Sequence, residues 1–311
     1  MIIAIASGKG GTGKTTVATN LAVAIGQGQG AAEITAETTG AGAAATKAEA
    51  KAKVKVQLLD CDVEEPNDHL FFDGELEVQK EVAVTSTYPE IDSDRCTRCG
   101  KCAELCAFNA LAVVGDSVLV FPEMCHACGA CAHFCPEGAV VEVSRDIGGL
   151  RLGRAGDIDV HYGLLNVGEA MAPPVIKALK REVAAPGEGQ VSIVDAPPGT
   201  SCPVIESIKG SDYVVLVTEP TPFGLHDLEL AAGVVEQLGM PAGVVINRSD
   251  IGDDSVERFC AEKGLPVLMR IPFDRELAAG YARGEIIAEK DPGWRRRFQE
   301  LYGKIREAVG Q

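Results

Sequence analysis

Residues 1–25, which decide the fold, read MIIAIASGKGGTGKTTVATNLAVAI. The short apolar run at 2–6 predicts a buried strand, and the pattern TVATNLAVAI predicts a helix that ends near Ile25. Between strand and helix, the segment from Gly8 to Thr15 matches GxxxxGK[ST], the phosphate-binding loop, in the strand–loop–helix setting that this motif requires. The amino terminus therefore predicts a nucleotide-binding α/β domain.

Each residue type in this loop has a chemical reason. Glycines let backbone N–H groups close around phosphate oxygens, and the start of the helix adds its positive end. Lys14 is expected to reach the outer phosphates and Thr15 to offer its hydroxyl to Mg²⁺. The predicted nucleotide contacts here are Gly8, Gly10, Gly11, Thr12, Gly13, Lys14, Thr15 and Thr16.

A dinucleotide fingerprint is the rival interpretation, because Gly8, Gly10 and Gly13 also fit GxGxxG. A hydride-transfer site has no need of the Lys-Thr pair. No acidic residue ends a second strand about 20 positions further on, where that fingerprint expects one. The phosphate-binding loop is therefore the better prediction.

Four further apolar, β-branched runs, separated by helix-length stretches, predict the rest of a parallel sheet with covering helices. They lie at 54–59, 191–194, 213–217 and 243–246. The predicted fold class is α/β, with a doubly wound, mostly parallel sheet.

Composition limits the possible partners and location. Among the 311 residues, 45 acidic against 29 basic side chains give a net charge of −16, which opposes sequence-independent binding to nucleic acid or anionic lipid. No stretch approaches the roughly 20 apolar residues that span a bilayer. The sequence begins without a basic leader, so we expect a cytoplasmic protein, in which eleven cysteines favour metal or cluster binding over disulfides.

An internal duplication contains eight of the cysteines. CTRCGKCAELCAFNAL, from Cys96, recurs as CHACGACAHFCPEGAV, from Cys125. We predict that residues 86–145 form an inserted domain and that 1–85 and 146–311 form the nucleotide-binding domain. Residues 26–53, rich in alanine and without aromatic residues, predict a disordered surface loop or a partly helical excursion over 43–53.

The spacing CxxCxxCxxxC, present twice, is that of two-cluster bacterial ferredoxins, in which the fourth cysteine of each run binds the other cluster. Three closely spaced thiolates can cap three irons of one cubane. Zinc is the alternative, since CxxC pairs also form tetrahedral sites. The predicted ligands are Cys96, Cys99, Cys102 and Cys135 for cluster one, and Cys125, Cys128, Cys131 and Cys106 for cluster two. Ala107 departs from the proline usual at that position.

Lys9, directly after the first glycine of the loop, makes it resemble the deviant Walker A motif of the MinD, ParA, Mrp and nitrogenase-iron-protein ATPases. In that class this lysine crosses a dimer interface to the partner's nucleotide. By the same resemblance, Asp60 and Asp62 form switch I, with Asp62 positioning the attacking water and Asp60 supporting the magnesium shell. Asp195 then corresponds to the Walker B aspartate that precedes a switch II at Gly199.

Two later segments are similar to the adenine-contacting parts of these ATPases. In GVVINRSD, Asn247 would hydrogen-bond the base, and the turn from Pro272 through Phe273 to Asp274 would pack beside it.

Three cysteines, Cys61, Cys202 and Cys260, lie outside the repeat, and we predict that they are buried. A metal or cluster shared by two copies of Cys202 is the alternative for that residue. At the carboxyl terminus, residues 294–309 present one apolar helical face, which we expect to dock on the sheet and not on a membrane.

Taken together, the chain resembles MinD-superfamily ATPases that carry an inserted two-cluster ferredoxin domain. The resemblance implies ATP hydrolysis with Mg²⁺, two 4Fe–4S clusters, an ATP-dependent homodimer or heterodimer with a paralogue, and a redox or iron–sulfur protein partner. Its implied catalytic residues are Lys9, Lys14, Asp60, Asp62 and Asp195. Two other functions remain open: an iron–sulfur carrier for apo-proteins, and a MinD-like positioning ATPase with the clusters as a sensor.

Overall fold

The computed structural model describes residues 1–28, 54–72, 74–183, 185–187 and 189–310. The loop predicted at 26–53 falls outside these ranges except for its first three residues, of which Gly26 ends a helix and Gln27 and Gly28 form a turn.

Nine strands of the described ranges form one sheet, in the order β11-β10-β9-β1-β8-β2-β7-β6-β3. Their bounds are β1 Ile2–Ala6, β2 Lys55–Asp60, β3 Leu76–Ile91, β6 Val140–Ala155, β7 Ile158–Leu165, β8 Gln190–Asp195, β9 Tyr213–Thr218, β10 Ala242–Asn247 and β11 Val267–Ile271. A separate antiparallel pair comprises β4 Leu111–Val114 and β5 Ser117–Val120. Only β6 is inverted within the large sheet, so the predicted α/β class with a mostly parallel sheet is confirmed.

Helices cover both faces of the sheet. They are α1 Lys14–Gly26, α2 Lys101–Leu105, α3 Ala130–His133, α4 Ala172–Glu182, α5 Cys202–Ile208, α6 Pro222–Gln237, α7 Ser255–Lys263, α8 Arg275–Ala282, α9 Ile287–Lys290 and α10 Pro292–Ala308. Short 3₁₀ helices occupy Asp68–Phe72 and Pro122–Met124.

One core cluster packs α1 and α10 on the sheet, and a second packs α4 to α7 on the other face. The carboxyl-terminal helix is docked as expected, because Phe298, Leu301 and Ile305 are each at most 1% exposed. Among the helices of the described ranges, none combines the length and apolar character needed to cross a bilayer.

A long antiparallel ribbon of β3 and β6 leads to the duplicated segment. Asp60, the last residue of β2, lies level with Tyr162 of β7, Arg151 of β6 and Glu81 of β3. From Glu81, β3 continues to Ile91, roughly 33 Å at 3.3 Å per residue. The segment 92–139 therefore projects beyond the carboxyl edge of the parallel strands.

The proposed domain boundaries fall inside this ribbon, where Ser86 pairs directly with Arg145. Both strands run through the boundary without a break, since pairing continues from Thr85 and Asp146 on one side to Ile91 and Val140 on the other.

The duplication in sequence is also a duplication in conformation. Three pairs of positions, each 29 residues apart, adopt positive φ: Arg98 and Ala127 (57° and 51°), Gly100 and Gly129 (80° and 71°), and Asn109 and Gly138 (54° and 55°). α2 and α3 each follow the second of these positions. Both copies therefore present their first three cysteines on the same kind of tight loop.

Candidate functional site

The phosphate-binding loop is formed by glycines at positions where a side chain does not fit. Gly13 caps α1 with φ +99°, and Gly11 has φ +78°, both in the left-handed region. A Cβ atom at Gly13 would lie 2.6 Å from Nδ2 of Asn247, and one at Gly8 would lie 2.1 Å from the backbone oxygen of Asp227 in α6. The loop therefore packs closely against both β10 and α6.

An open cleft of about 360 Å³ lies over this loop. The predicted residues that line it are Gly10, Gly11, Gly13, Lys14, Thr15, Thr16, Asp62, Asn247, Pro272 and Phe273. Six predicted residues do not line it: Gly8, Lys9, Thr12, Asp60, Asp195 and Gly199. Sequence reasoning did not identify Glu65, Asn67, Pro198, Arg248, Leu277, Ala278 and Tyr281, which complete the lining together with Asp274.

Asp60 organises the loop that follows β2. Its Oδ1 accepts a hydrogen bond from the N–H of Asp62 at 3.0 Å, and its Oδ2 accepts from Asn67 at 2.8 Å and Asp68 at 2.9 Å. Burial and the nearby Asp195 carboxylate raise the pKa of Asp60, while these three N–H groups lower it. In this geometry Asp60 holds the loop that places Asp62 in the cleft.

Asp195, at the end of β8, accepts a hydrogen bond from Oγ1 of Thr15 at 2.7 Å. Burial raises the pKa of Asp195, and the Thr15 hydroxyl and the Lys14 ammonium lower it. Burial lowers the pKa of Lys14, which is 7% exposed, and Asp195, Asp62 and Asp60 oppose this shift. Lysine, threonine and aspartate thus meet at the carboxyl edge, as the motif predicts for a site that holds phosphate and Mg²⁺.

Asn247 lies in the cleft, but in this structure it contacts the protein. Its Nδ2 donates to the backbone oxygen of Thr12 at 2.8 Å, and its Oδ1 accepts from the N–H of Arg248 at 2.9 Å. Phe273 is 47% exposed, with the Arg248 guanidinium 5.9 Å from its ring centre. Phe273 is thus available to stack on a base. Recognition of the base by Asn247 stays a prediction, because its amide would first have to release its hydrogen bonds with Thr12 and Arg248.

The four cysteines predicted for cluster one, Cys96, Cys99, Cys102 and Cys135, line a single small pocket together with their loops. Desolvation raises the pKa of the Cys135 thiol, but backbone N–H groups of residues 137–140 outweigh it and lower the pKa, which favours thiolate. In the described part of the chain, no three His, Cys, Asp or Glu side chains are close enough to hold one metal ion. Cysteines of a cubane bind different irons and lie farther apart than the ligands of one ion.

The second cysteine set has matching local contacts. The N–H of Ala110 donates to Sγ of Cys106 at 3.3 Å, as the N–H of Ala139 does to Sγ of Cys135 at 3.3 Å. Beside this set, the rings of Phe108 and His126 stack with centres 3.5 Å apart. The copies therefore differ in their surroundings, because Thr97 and Glu137 stand at the equivalent positions of cluster one.

The prediction for the three other cysteines is partly wrong. Cys61 and Cys260 are buried as expected, and burial raises the pKa of Cys260 to about 11. Cys202 is exposed, because it is the first residue of α5, at the edge of the sheet and not over its core.

Residues 38–287 match the family described as the CobQ/CobB/MinD/ParA nucleotide binding domain. The chain belongs to this family. The match spans the switch loop, the strand that carries Asp195 and the segments around Asn247 and Phe273, and it begins after the phosphate-binding loop, so it covers part of the lining of the cleft.

Similar proteins cover nearly the whole chain. Two uncharacterised proteins of Methanocaldococcus jannaschii, MJ0578 and MJ0579, are 29% and 28% identical over 99% and 92% of this chain and 98% and 90% of their own lengths. The septum site-determining protein MinD of Pyrococcus horikoshii, solved with Mg-ADP, is 19% identical with a TM-score of 0.55, covering 99% of this chain and 97% of that one. This last likeness concerns the fold.

Proposed function

We propose that the protein is an ATP-hydrolysing dimer that carries two 4Fe–4S clusters on segment 86–145 and couples its nucleotide state to electron transfer or partner contact. The observation that carries the proposal is topological. The phosphate-binding loop and the cysteine-bearing segment both lie beyond the carboxyl edge of one sheet. A change at the nucleotide therefore occurs on the side of the domain from which the cysteines project.

The ATP-binding part of the proposal is supported by the residues of the cleft. Backbone N–H groups of the glycine-rich loop and the buried ammonium of Lys14 bind the phosphates. Thr15 and Asp195 would hold Mg²⁺, which when bound neutralises charge on the phosphates. Asp62 lies in the cleft and would orient the attacking water. Lys9 does not line its own cleft, in agreement with a role toward a partner's nucleotide.

The iron–sulfur part of the proposal is supported by the arrangement of the cysteines. Four cysteines, from two loops distant in sequence, line one cavity in the combination that the ferredoxin spacing requires. When bound, the clusters would supply one-electron chemistry. The chain's own contribution is to present thiolates and to donate N–H groups to their sulfurs, as residues 110, 127 and 139 do here.

The two halves are joined by a side chain as well as by the ribbon. Arg145 of β6 donates to the carbonyl of Pro122, inside the cysteine-bearing segment, at 3.1 Å. The same guanidinium pairs with Glu169, which follows β7 at the edge of the sheet, at 2.6 Å. Both partners are largely buried, with 20% and 12% of their side chains exposed, so the pair is shielded from solvent. Movement of the loop that contains Glu169 would therefore be transmitted through Arg145 to the cysteine-bearing segment at Pro122.

An iron–sulfur carrier is the second candidate, and one observation favours it. Cys99 and Cys128, the middle cysteines of the first three in each copy, are exposed, whereas the other ligands are half-buried. An exposed ligand on each cluster would give an acceptor protein a point of attack.

The nucleotide proposal is tested by sedimentation and ATP binding on four variants. Lys14→Ala should abolish tight ATP binding because the charge that faces the phosphates is lost. Asp62→Ala should retain binding and accumulate an ATP-bound dimer, since only the positioning of water is lost. Lys9→Ala should weaken the dimer. Lys263→Ala, at an exposed lysine of α7, is the control and should behave as wild type.

A chain that remains monomeric with ATP, including the Asp62→Ala variant, would contradict the dimer. Transfer of clusters to an apo-acceptor with ATP, without redox cycling, would instead support the carrier.

A further inference from the structure

Asp68 is a fully buried carboxyl group, and no ion pair of the described ranges includes it. It begins the 3₁₀ helix Asp68–Phe72 and is 0% exposed. With both groups counted as carboxylates, neither oxygen of Asp68 accepts a hydrogen bond within the described ranges, and Oδ1 of Asp195 has no donor other than a proton held by Asp68. The two carboxyl groups face each other, within reach of a shared proton or cation.

The surroundings of this pair are strongly negative. Asp60 and Asp62 add two more carboxylates, and Lys14 is the cation that burial places among them. Three backbone N–H groups beside the pair donate to Asp60, and the Thr15 hydroxyl donates to Oδ2 of Asp195. Buried carboxylates without donors are stable only when a proton or cation lies between them. The pair therefore needs either a shared proton or a cation, and a cation that arrives with the nucleotide can take the place of the proton.

We propose that Asp68 is a positioning residue for the divalent cation that enters with the nucleotide, acting with Asp195 from the side of the site away from the cleft. The inference rests on the proposed function, because the cation is the one that ATP brings. Asp68 does not line the cleft, so it would act through cation-bound water and through the orientation of Asp195. Asp68 connects switch I with the Walker B aspartate, because its N–H donates to Asp60 and its carboxyl group faces Asp195.

The test compares wild type with Asp68→Asn, which keeps the shape of the side chain and removes its charge. With a fluorescent ADP analogue as probe, the Mg²⁺ concentration that gives half-maximal binding should rise about 10- to 100-fold, the usual effect of losing an outer-shell partner. Affinity for the analogue in EDTA should stay within about twofold of wild type. Asp212→Asn is the matched control: Asp212 is exposed and binds the N–H of Ile2 at 2.7 Å, near the amino end of the same sheet.

A second measurement separates positioning from a purely structural role. Without Mg²⁺ and nucleotide, Asp68→Asn should melt higher than wild type by about 2 to 4 °C, because its amide can donate to Asp195 without taking up the proton that the buried Asp68 carboxyl group needs to do so. If Asp68 were only structural, the variant would melt lower and its Mg²⁺ dependence would not change.

An unchanged Mg²⁺ midpoint, or equal losses of affinity with and without Mg²⁺, overturns the inference. If Asp68→Asn does not fold, Asp68→Ser, which is smaller and keeps a hydroxyl, is judged by the same midpoint. Failure of the proposed function has a different signature: Lys14→Ala would then bind the analogue as wild type does.

Discussion

Replacing Gly8 by alanine tests how the phosphate-binding loop is held. A Cβ atom there would lie 2.1 Å from the backbone oxygen of Asp227 and 2.6 Å from its carbonyl carbon. Ordinary contact begins at about 3.4 Å, so the loop and α6 must separate by about 1.3 Å. Because the neighbour is helix backbone, no side-chain rotation can relieve the contact.

The expected cost follows from this displacement. Forcing one methyl group into close-packed backbone destabilises by about 1 to 3 kcal/mol. A shift of about 1 Å in the loop should also weaken nucleotide turnover about 10²-fold. Gly10→Ala is the matched control in the same loop, since its Cβ would meet only Pro198, at 4.0 Å. Its free energy of unfolding should stay within about 0.5 kcal/mol of wild type.

The chain contains one tryptophan, and its position makes it a specific probe. Trp294 lies in α10 and packs against the core that also contains α1, so its fluorescence follows unfolding of the nucleotide-binding part. Urea unfolding of nucleotide-free protein in EDTA would give the free energy of unfolding of wild type, Gly8→Ala and Gly10→Ala. Equal stability of Gly8→Ala and Gly10→Ala would refute the argument that α6 fixes the loop.

Three other predictions concern the cysteines. Anaerobically purified protein should contain about eight irons and eight acid-labile sulfides per chain, Cys106→Ala should lose cluster two first, and bound zinc would contradict the assignment. In native protein, a thiol reagent read by mass spectrometry should label Cys202 but not Cys61 or Cys260, which are buried with raised pKa values; equal labelling would contradict this. Titrating the clusters with ADP, and with ATP on Asp62→Ala, should give potentials that differ by about 40 to 130 mV, equivalent to about 1 to 3 kcal/mol for one electron; equal potentials would exclude redox gating.

The loop and the strands beside it could be predicted from sequence because their signals are local. The glycines, lysine and threonine are consecutive, and five apolar runs correspond to β1, β2, β8, β9 and β10. Strand β7, with its sequence IDVHYGLL, mixes polar residues into a strand that has neighbours on both sides in the sheet. It is a strand because it pairs with β2 and β6 on either side, and the sequence pattern does not show that these two strands are its partners.

Asp68 illustrates a second limit. In the sequence it is one acidic residue after Asn67, as expected of any solvated turn. Its burial arises because Asp60 accepts the N–H groups of both residues and draws the chain inward toward Asp195, a residue distant in sequence. Tertiary contacts of this kind decide which carboxylates reach the site, and spacing alone cannot report them.

The inverted strand explains how a parallel sheet accepts an insert at its nucleotide-binding edge. β2 and β7 are parallel neighbours, and such pairs are usually joined by a helix that returns the chain to the other end of the sheet. Here residues 61–75 return the chain to the amino edge, where Leu76 lies level with Val56; β3 then runs out past the carboxyl edge and β6 returns. The switch loop at residues 60–67 leads through the 3₁₀ helix to the amino end of β3, which passes the level of Asp60 at Glu81 on its way to the duplicated segment. A displacement of that loop would thus be transmitted along a hydrogen-bonded ribbon, which resists bending more than a single strand does, to the cysteines at its far end.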